Sequence, residues 1–452
     1  MSASAPSTLH RFAFGILIPS FLFLSNPARS QNFEGDSVIQ VVEGRQGLAI
    51  GDLNGDGETT FVDLFLLSLY WQGDITQLES TSPAKHETDI AISRETILHF
   101  NGALDESTVN GNSIFAEFGG ELLGTHLNLS PDHQTVTLFY NEPLPPSARI
   151  RVTVDGNRLK NDKGLLVDVD RDGFPGGVEL IDFDTLTLTL LPGTSVFGRV
   201  FATELATVKG STQSVNVPLE GVRISVDGLE NVLFADTDAL GNFRLEPAPA
   251  GAFFVHVDGR TVSESLIDGA TVSTSFPNGY YYPYVGKKWE SLPGRETNIG
   301  TLFLPLVIPG TLHPVSESQD TPIGFAGPVL AEHPEFAGAQ AIVPADSLYA
   351  DDGMRGGMVG MAPVPPDRMP GTLPSFMMPP ILISVQTDGA TNFDVPVPLC
   401  LPNLPDPLTG VPAPPGAKRA LFSFNHDIGD FESVGFATVS QDGSLICTDP
   451  GV

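Results

Sequence analysis

The sequence predicts a mainly β protein in which tandem β-sandwich domains follow a small module that contains an α-helix. The 452 residues include 47 Gly and 39 Pro, which favour turns and interrupt helices. Many short apolar runs are rich in Val, Thr, Ile and Phe, as strands are. Residues 62–71 alone show a clear helical spacing of apolar side chains. At this length we expect about three domains.

Residues 1–30 have the layout of a secretory signal peptide. A short basic start precedes an apolar run over residues 12–24, and small residues stand at Ala28 and Ser30. We expect cleavage near residue 31. The apolar run is shorter than the roughly 20 residues that a spanning helix needs, and no later segment comes close. The sequence therefore predicts a soluble exported chain without a transmembrane segment, either secreted or held at the cell surface.

The charge balance of the chain is strongly acidic. It has 23 Lys and Arg against 54 Asp and Glu, a formal net charge of −31. A nucleic-acid partner is excluded, because neutralising phosphates requires a basic surface. An acidic surface suits a calcium-rich exterior and limits self-association, and most of these carboxylates are expected to be simply solvated.

A ring of oxygen donors lies in residues 51–63. Counted from the first aspartate, the donors stand at positions 1, 3, 5 and 12 of a twelve-residue loop: Asp52, Asn54, Asp56 and Asp63. Gly57 stands at position 6, where such a loop turns sharply, and Glu58 at position 7 offers its backbone carbonyl. Ca²⁺ takes six or more oxygen ligands, so this spacing predicts a calcium site. The predicted fold is thus mainly β, with tandem β-sandwich domains preceded by a small α-helical calcium-loop module.

The helix predicted after this loop completes a repeat pattern. Its apolar residues recur at helical spacing: Val62, Phe65, Leu66 and Leu69. Residues 51–71 resemble one repeat of type I dockerins, which implies an EF-hand-like calcium module over residues 31–80 and a cohesin-like partner. Dockerins usually carry two repeats and basic residues for the cohesin, whereas this chain has one repeat whose helix lacks them. The alternatives are a plain Asp/Asn/Gly turn and a propeller-like hairpin that also binds calcium.

A polar stretch at residues 80–85 predicts a linker, and strand-like runs follow it. Their alternation is that of sandwich strands: 95–100, 113–118, 135–140 and 150–154. The motifs at 97–110, 129–138 and 143–154 resemble, in this order, the bacterial Ig-like domain named for S-layer proteins. The resemblance covers residues 84–192 and implies a spacer or display module rather than a catalyst.

A second acidic loop lies near the end of this segment. It again places carboxylates at positions 1, 3, 5 and 12: Asp168, Asp170, Asp172 and Glu179. Gly173 stands at position 6, so the spacing fits calcium. Pro175 and the two glycines after it cannot start a helix, so a site here would be a loop between strands. The alternative is a Gly-rich hairpin without metal, although four crowded carboxylates repel one another unless a cation lies between them.

Residues 194–262 contain a further set of strand and turn motifs. These motifs follow one another at 196–201, 217–228, 235–245 and 247–257. Their order resembles the prealbumin-like module of carboxypeptidase regulatory domains and collagen-adhesin B repeats, which implies a rigid β-sandwich. Residues 263–308 are expected to be a connecting β segment. Its aromatic run, 280–284, favours a strand and turn packed on the neighbouring domain, the alternative being a sugar-binding strip.

Residues 309–452 predict strands in a Pro-rich frame. The strand-like runs are 341–345, 357–370, 381–390, 395–403 and 439–447. Their arrangement is similar to a β domain of large bacterial surface proteins, distantly like that of ankyrins and netrin receptors. In that family the chain usually continues further, so we expect a truncated C-terminus. Cys400 and Cys447 either form a disulfide in an oxidising compartment or remain as two buried thiols.

Familiar enzyme motifs are absent from the sequence. It lacks a Gly-x-Ser-x-Gly elbow, a His-Glu-x-x-His zinc motif and a Gly-rich phosphate loop. We therefore expect a secreted or cell-surface calcium-binding modular protein that acts in adhesion, scaffolding or display and is not an enzyme. The alternative is a polysaccharide-degrading enzyme, or its accessory subunit, assembled through the dockerin-like repeat. The expected partners are a cohesin-like or other surface protein and a polysaccharide.

Calcium binding by the first loop has a direct test. Calorimetric titration of a fragment spanning residues 31–80 is expected to show binding of one ion, which the double substitution Asp52→Ala, Asp56→Ala abolishes, because both residues are assigned as ligands. Binding that persists in the double variant would refute the assignment.

Overall fold

The computed structural model describes residues 14–17, 60, 61, 64, 75–207, 214–267, 270–350, 352–369, 379–389 and 391–451. The acidic and amide residues of the first predicted calcium loop lie outside this part of the chain: Asp52, Asn54, Asp56, Glu58 and Asp63. Phe61 and Leu64 are helical with exposed side chains, and the Leu64 N–H donates to the Thr60 carbonyl at 3.4 Å. No helix within the described ranges is long and apolar enough to cross a membrane. Phe14–Leu17 form strand β1, whose sheet partners lie in the C-terminal part of the chain.

The first sandwich consists of eight antiparallel strands in two sheets. Its strands are β2 (Leu78–Ser82), β3 (Thr96–Phe100), β4 (Ile114–Phe118), β5 (Glu121–Leu122), β6 (Thr125–Leu129), β7 (Thr135–Tyr140), β8 (Arg149–Asp155) and β9 (Val178–Asp184). One sheet has the order β2-β3-β7-β6 and the other β5-β4-β8-β9. One apolar core lies between the two sheets. The side chains that form it are the apolar ones of the alternating pattern predicted from the sequence.

Strand β8 illustrates this alternation. Ile150, Val152 and Val154 point into the core and are fully buried, which contributes about 1.5–3 kcal/mol each. Arg149 and Arg151 point outward, where they form paired hydrogen bonds with the carboxylates of two aspartates on β9. These cross-strand pairs and the buried face together fix the register of β8 against β9.

The predicted linker at residues 80–85 is a strand in its first half. Ser80, Thr81 and Ser82 of β2 pair with β3, opposite His99, Leu98 and Ile97 respectively. The prediction of a linker was wrong because β2 is an edge strand, where backbone hydrogen bonds hold the chain and polar side chains are tolerated. The first sandwich therefore begins before residue 80.

The second sandwich holds ten strands. They are β10 (Ser195–Thr207), β11 (Ser214–Pro218), β12 (Arg223–Val226), β13 (Phe234–Asp236), β14 (Asn242–Leu245), β15 (Gly251–Asp258), β16 (Glu264–Ile267), β17 (Ala270–Ser273), β18 (Tyr284–Ser291) and β19 (Glu296–Leu304). One sheet has the order β11-β10-β14, with β19 parallel to β10, and the facing sheet has the order β13-β12-β15-β18. Strands β16 and β17 form a separate hairpin. The two sheets enclose a second apolar core.

Residues 263–308, expected to be a connecting segment, complete this second sandwich. β18 pairs with β15 along its whole length and β19 pairs with β10, so both sheets need these residues. Tyr281 and Tyr282 are buried, and Trp289 stacks on Phe243 with ring centroids 5.7 Å apart. These buried rings agree with the packing interpretation of the aromatic run. They are not available to stack on a sugar.

The C-terminal domain contains a ten-stranded sheet and a two-stranded one. Its elements are β20 (His313–Pro314), β21 (Thr321–Ile323), α1 (Gly327–Glu332), β22 (Gln340–Val343), β23 (Leu348–Ala350), β24 (Met358–Pro363), β25 (Leu382–Thr387), β26 (Thr391–Phe393), β27 (Leu399–Pro402), β28 (Lys418–Asn425), β29 (Asp430–Val439) and β30 (Leu445–Thr448). The large sheet has the order β20-β24-β25-β1-β28-β29-β30-β27-β22-β21. Strand β1, from the stretch interpreted as an export signal, lies between β25 and β28. Three short 3₁₀ helices complete the described elements: Glu106–Thr108, Gly259–Thr261 and Pro334–Phe336.

The two cysteines form a disulfide within this domain. Cys400 on β27 and Cys447 on β30 stand directly opposite each other in the sheet, and their sulfur atoms are bonded. Of the two alternatives left open by the sequence, the structure contains the disulfide. The two cysteines are separated by 47 positions in the sequence, so the disulfide reduces the number of conformations open to the unfolded chain.

Two arginines dock the C-terminal domain on both sandwiches. Arg368 is buried and donates to the carbonyl oxygens of Ala202 and Thr203 at 3.1 and 3.0 Å. Its other terminal nitrogen donates to Asn216 Oδ1 at 2.7 Å. Arg355 donates to the Leu129 carbonyl oxygen of the first sandwich at 2.7 Å.

Removal of the Arg368 side chain is expected to destabilise the protein. Arg368→Ala removes the hydrogen bonds to two carbonyl groups and to Asn216, so we expect a loss of about 2–3 kcal/mol in the free energy of unfolding, measured by urea denaturation. The matched control is Arg158→Ala, because the Arg158 side chain is 62% exposed and should change stability by less than about 0.5 kcal/mol. Equal effects of the two substitutions would contradict the docking role.

Candidate metal centre

The second acidic loop connects β8 to β9 and is tied to its surroundings by backbone hydrogen bonds. The Val169 N–H donates to the Gly176 carbonyl at 3.2 Å, and the Gly176 N–H donates to the Val167 carbonyl at 3.0 Å. Gly177 has a φ of 80°, in the left-handed region that favours glycine. A Cβ atom there would lie 2.5 Å from Asp170 Oδ2. The glycine that sequence analysis reads as a helix breaker therefore leaves room for the Asp170 carboxylate.

Three aspartates of this loop converge. One carboxylate oxygen from each of Asp168, Asp170 and Asp172 lies within 4.8 Å of the others. Asp170 and Asp172 are exposed, whereas Asp168 is fully buried. We call this group the Asp168 cluster. It is open to solvent on one side and closed by protein on the other.

Asp168 is bonded through only one of its two oxygens. Oδ2 accepts from Gln77 Nε2 at 2.6 Å and from the Gly173 N–H at 3.0 Å. Oδ1 is buried and has no hydrogen-bond partner among the described residues. An unpaired buried oxygen costs about 1–3 kcal/mol, and more when the group is charged. The Asp168 carboxylate thus has one unpaired acceptor atom and belongs to a group with two further carboxylates.

Short-range hydrogen bonds shape the rest of the loop. The Asp172 N–H faces Asp170 Oδ1 at 3.4 Å, and the Phe174 N–H donates to Asp172 Oδ1 at 2.9 Å. Aspartates form such turns without metals as well. These bonds explain the turn, but they leave the unpaired Oδ1 of Asp168 without an explanation.

The electrostatic environment disfavours ionised Asp168. Burial raises the pKa of this carboxyl group, the hydrogen bonds from Gln77 and Gly173 lower it, and the negative charges of Asp172 and Asp170 raise it further. The net result is a pKa above the ordinary value. A bound cation would reverse this effect, since it favours the ionised form.

Glu179, the fourth residue predicted for this site, lies elsewhere in the structure. Its Oε1 forms an ion pair with Lys85 Nζ at 2.8 Å, and it is not part of the Asp168 cluster. The reason is geometric: Glu179 belongs to β9, opposite Val154, rather than to a helix that would turn it back toward the loop. Gln77, in contrast, was not predicted. It reaches the cluster from 91 residues upstream, a contact that no local sequence pattern indicates.

A second group of potential ligands lies where the two sandwiches meet. His256 Nε2 is 2.9 Å from Asp227 Oδ1 and 3.7 Å from Glu230 Oε1, and Asp227 Oδ2 accepts from the Ser93 N–H at 3.1 Å. Sequence analysis did not single out these residues. His256 Nδ1 is buried without a partner among the described residues. A metal on Nε2 would move the proton to Nδ1 and leave it unpaired, so the geometry favours a hydrogen bond from Nε2–H to Asp227.

Comparison with protein families gives a match within the first sandwich. Residues 74–170 match the model of the bacterial Ig-like domain. The prediction of such a domain is therefore confirmed. The match begins before residue 80, in agreement with strand β2, and includes both Gln77 and Asp168. Comparison with curated protein sequences gives no match.

Solved structures give only remote likenesses. The N-terminal part of the bacterial S-layer protein SbsC is 13% identical, with 52% of this chain and 48% of that chain covered and a TM-score of 0.22. This chain thus spans about half the length of that structure. The copper resistance protein PcoC from Escherichia coli is 14% identical over 24% of this chain and 97% of its own, with a TM-score of 0.19. L,D-transpeptidase 3 from Mycobacterium tuberculosis is 8% identical over 39% and 47%, with a TM-score of 0.17. At such TM-scores, the functions of these proteins have no bearing on this chain.

Substitution of Asp168 tests whether burying its negative charge destabilises the folded protein in the absence of calcium. The pKa of the Asp168 carboxyl group is higher in the folded protein than in the unfolded chain, where it is about 3.9. The group therefore stabilises the fold fully at pH values below 3.9. This contribution is lost as the pH rises through the pKa of the folded state. With a calcium chelator present at pH 7, the Asp168→Asn variant is expected to unfold at the same urea concentration as the wild type or at a higher one. Any difference between the two urea midpoints should disappear as the pH falls toward 4.

The control for this measurement is Asp162→Asn, since Asp162 is exposed on the same domain. It should leave the urea midpoint unchanged at both pH values. A loss of more than about 1 kcal/mol in chelated Asp168→Asn at pH 7 would contradict the assigned cost of burial.

Proposed function

We propose that this chain is an exported, calcium-binding modular protein of the bacterial surface, which acts in adhesion, scaffolding or display and is not an enzyme. The observation that carries the calcium assignment is the buried Asp168 carboxylate, with one oxygen unpaired beside two other carboxylates. The Ig-like domain supports the modular, surface-exposed part of the proposal.

Negative charge at the Asp168 cluster favours a bound cation. Burying a carboxylate with one oxygen left unpaired costs about 1–3 kcal/mol or more, and two neighbouring aspartates add repulsion. A divalent ion on the unpaired oxygen offsets both terms. Ligands on opposite sides of Ca²⁺, each at roughly 2.3–2.6 Å, are about 5 Å apart, so carboxylates within 4.8 Å of one another can share one ion.

The donor set favours calcium over other metals. All three side chains offer hard oxygen atoms, and the cluster contains no His or Cys of the kind that zinc and copper prefer. Mg²⁺ demands near-ideal octahedral geometry, whereas calcium tolerates an open site that water completes. With three carboxylates, we expect the weak affinity of extracellular calcium modules, a Kd of about 10⁻⁴–10⁻³ M.

Export is supported by two further features. The Cys400–Cys447 disulfide is the kind of bond that persists outside the reducing cytosol. The net charge of −31 keeps the chain soluble outside a cell.

The contacts of Arg355 and Arg368, which join the C-terminal domain to both sandwiches, favour a role as a stiff spacer. The proposed partners of such a spacer are a cohesin-like or other surface protein and a polysaccharide.

Thermal unfolding with and without calcium tests the metal assignment. The protein carries Asp52→Ala and Asp56→Ala, so that the first predicted loop does not contribute. Calcium at ten times Kd is expected to stabilise this protein by about 1.4 kcal/mol, seen as a rise in Tm. Adding Asp170→Ala and Asp172→Ala should abolish the rise, because it removes two ligands.

The control is the same background with Asp162→Ala, an exposed aspartate of the same domain, which should keep the full calcium effect. If the protein without Asp170 and Asp172 responds to calcium as strongly as this control does, the proposed site is wrong. Magnesium at equal concentration should give a smaller rise.

A further inference from the structure

We infer that the ion at the Asp168 cluster controls the docking of residues 75–79 on the rest of the Ig-like domain. These residues, which we call the lead-in segment, comprise the approach to β2 and its first two residues, Leu78 and Glu79. The inference rests on the proposed function and adds a regulatory role to that site: calcium would set the stiffness of the joint between the predicted N-terminal module and the first sandwich.

A side-chain contact joins the lead-in segment directly to the cluster. Gln77 Nε2 donates to Asp168 Oδ2 at 2.6 Å, so the same carboxylate that faces the cluster holds the lead-in segment. The Gln77 N–H donates to Asn101 Oδ1 at 2.8 Å, which orients the backbone at this point. Asp168 is therefore shared between the predicted ion and the segment.

Backbone hydrogen bonds place the lead-in segment along the acidic loop. The Asp168 N–H donates to the Thr76 carbonyl at 2.9 Å, and the Leu78 N–H donates to the Asp168 carbonyl at 3.3 Å. Arg171 Nη1 donates to the Glu79 carbonyl at 3.0 Å. The loop thus serves as the docking partner for the chain that enters the first sandwich.

The two events are coupled because they use one residue. Ligands that are themselves hydrogen-bonded bind metals more tightly, and Gln77 orients the Asp168 carboxylate through the oxygen that is already paired. The unpaired Oδ1 remains for the ion. Without the ion, repulsion among the three carboxylates favours spreading of the loop, which loosens the backbone bonds to Thr76 and Leu78. By linkage, docking of the segment must then raise calcium affinity to the same degree as calcium favours docking.

Hydrogen exchange on the full chain tests this coupling. In the Asp52→Ala, Asp56→Ala background, the amide protons of Leu78 and Asp168 are expected to exchange at least about fivefold more slowly with saturating calcium than with chelator. The amides of β28, in the C-terminal domain, serve as an internal control and should not change. Titration calorimetry on the same sample reports whether calcium binds.

The outcomes separate the two proposals. Calcium binding that leaves the exchange of Leu78 and Asp168 unchanged would overturn the coupling while the calcium site stands. Absence of binding would overturn both. Slower exchange that Asp170→Ala with Asp172→Ala abolishes would support both.

A substitution in the lead-in segment gives an independent test in the opposite direction. Gln77→Ala removes no predicted ligand, yet it should weaken calcium binding about fivefold or more, because Asp168 loses its orienting donor. Gln134→Ala, an exposed glutamine of the same domain, is the matched control and should bind calcium like the background protein. Equal affinities of the two variants, with unchanged circular dichroism, would overturn the positioning role of Gln77.

Discussion

Burial of the Asp168 carboxylate is the constraint on which the account of this protein depends. The residue is fully buried, but among the residues that the structure describes only its Oδ2 has hydrogen-bond partners, and its neighbours Asp170 and Asp172 carry charges of the same sign. Protein interiors rarely leave a charged oxygen unpaired, because its desolvation is not compensated. Protonation relieves that cost at low pH, and a divalent cation relieves it at neutral pH. With a divalent cation bound, the three aspartates of this loop form a metal-binding site.

Because of the position of this loop, a bound ion would affect how firmly the entering chain is held. It lies where the chain enters the first sandwich, and it contacts the lead-in segment through both backbone and side-chain hydrogen bonds. The C-terminal domain is held on the two sandwiches by a different kind of contact. Arg368 donates to two backbone carbonyl groups of the second sandwich, and Arg355 donates to the Leu129 carbonyl of the first, contacts that do not involve an ion. A chain built in this way would be permanently stiff at its C-terminal joint and stiff only in calcium at its N-terminal one.

Local patterns allowed part of this structure to be predicted. The alternation of β8 and the spacing of Asp168, Asp170 and Asp172 depend on neighbours in sequence, and the structure contains both. Contacts between distant residues could not be predicted in this way. The hydrogen bond from Gln77 spans 91 residues, and the pairing of Glu179 with Lys85 depends on the register of β9. The same limit explains why the polar edge strand β2 resembled a linker, and why residues 263–308 gave no sign that β18 and β19 complete the second sandwich.

A crystal structure of the chain grown in millimolar calcium tests the central claim most directly. The account predicts an ion bound by Asp168 Oδ1 and by oxygens of Asp170 and Asp172 at about 2.3–2.6 Å, with water completing the shell and Gln77 still donating to Oδ2. A structure in which Oδ1 instead bonds to a water molecule or a protein donor, with no ion among the three aspartates, would contradict it.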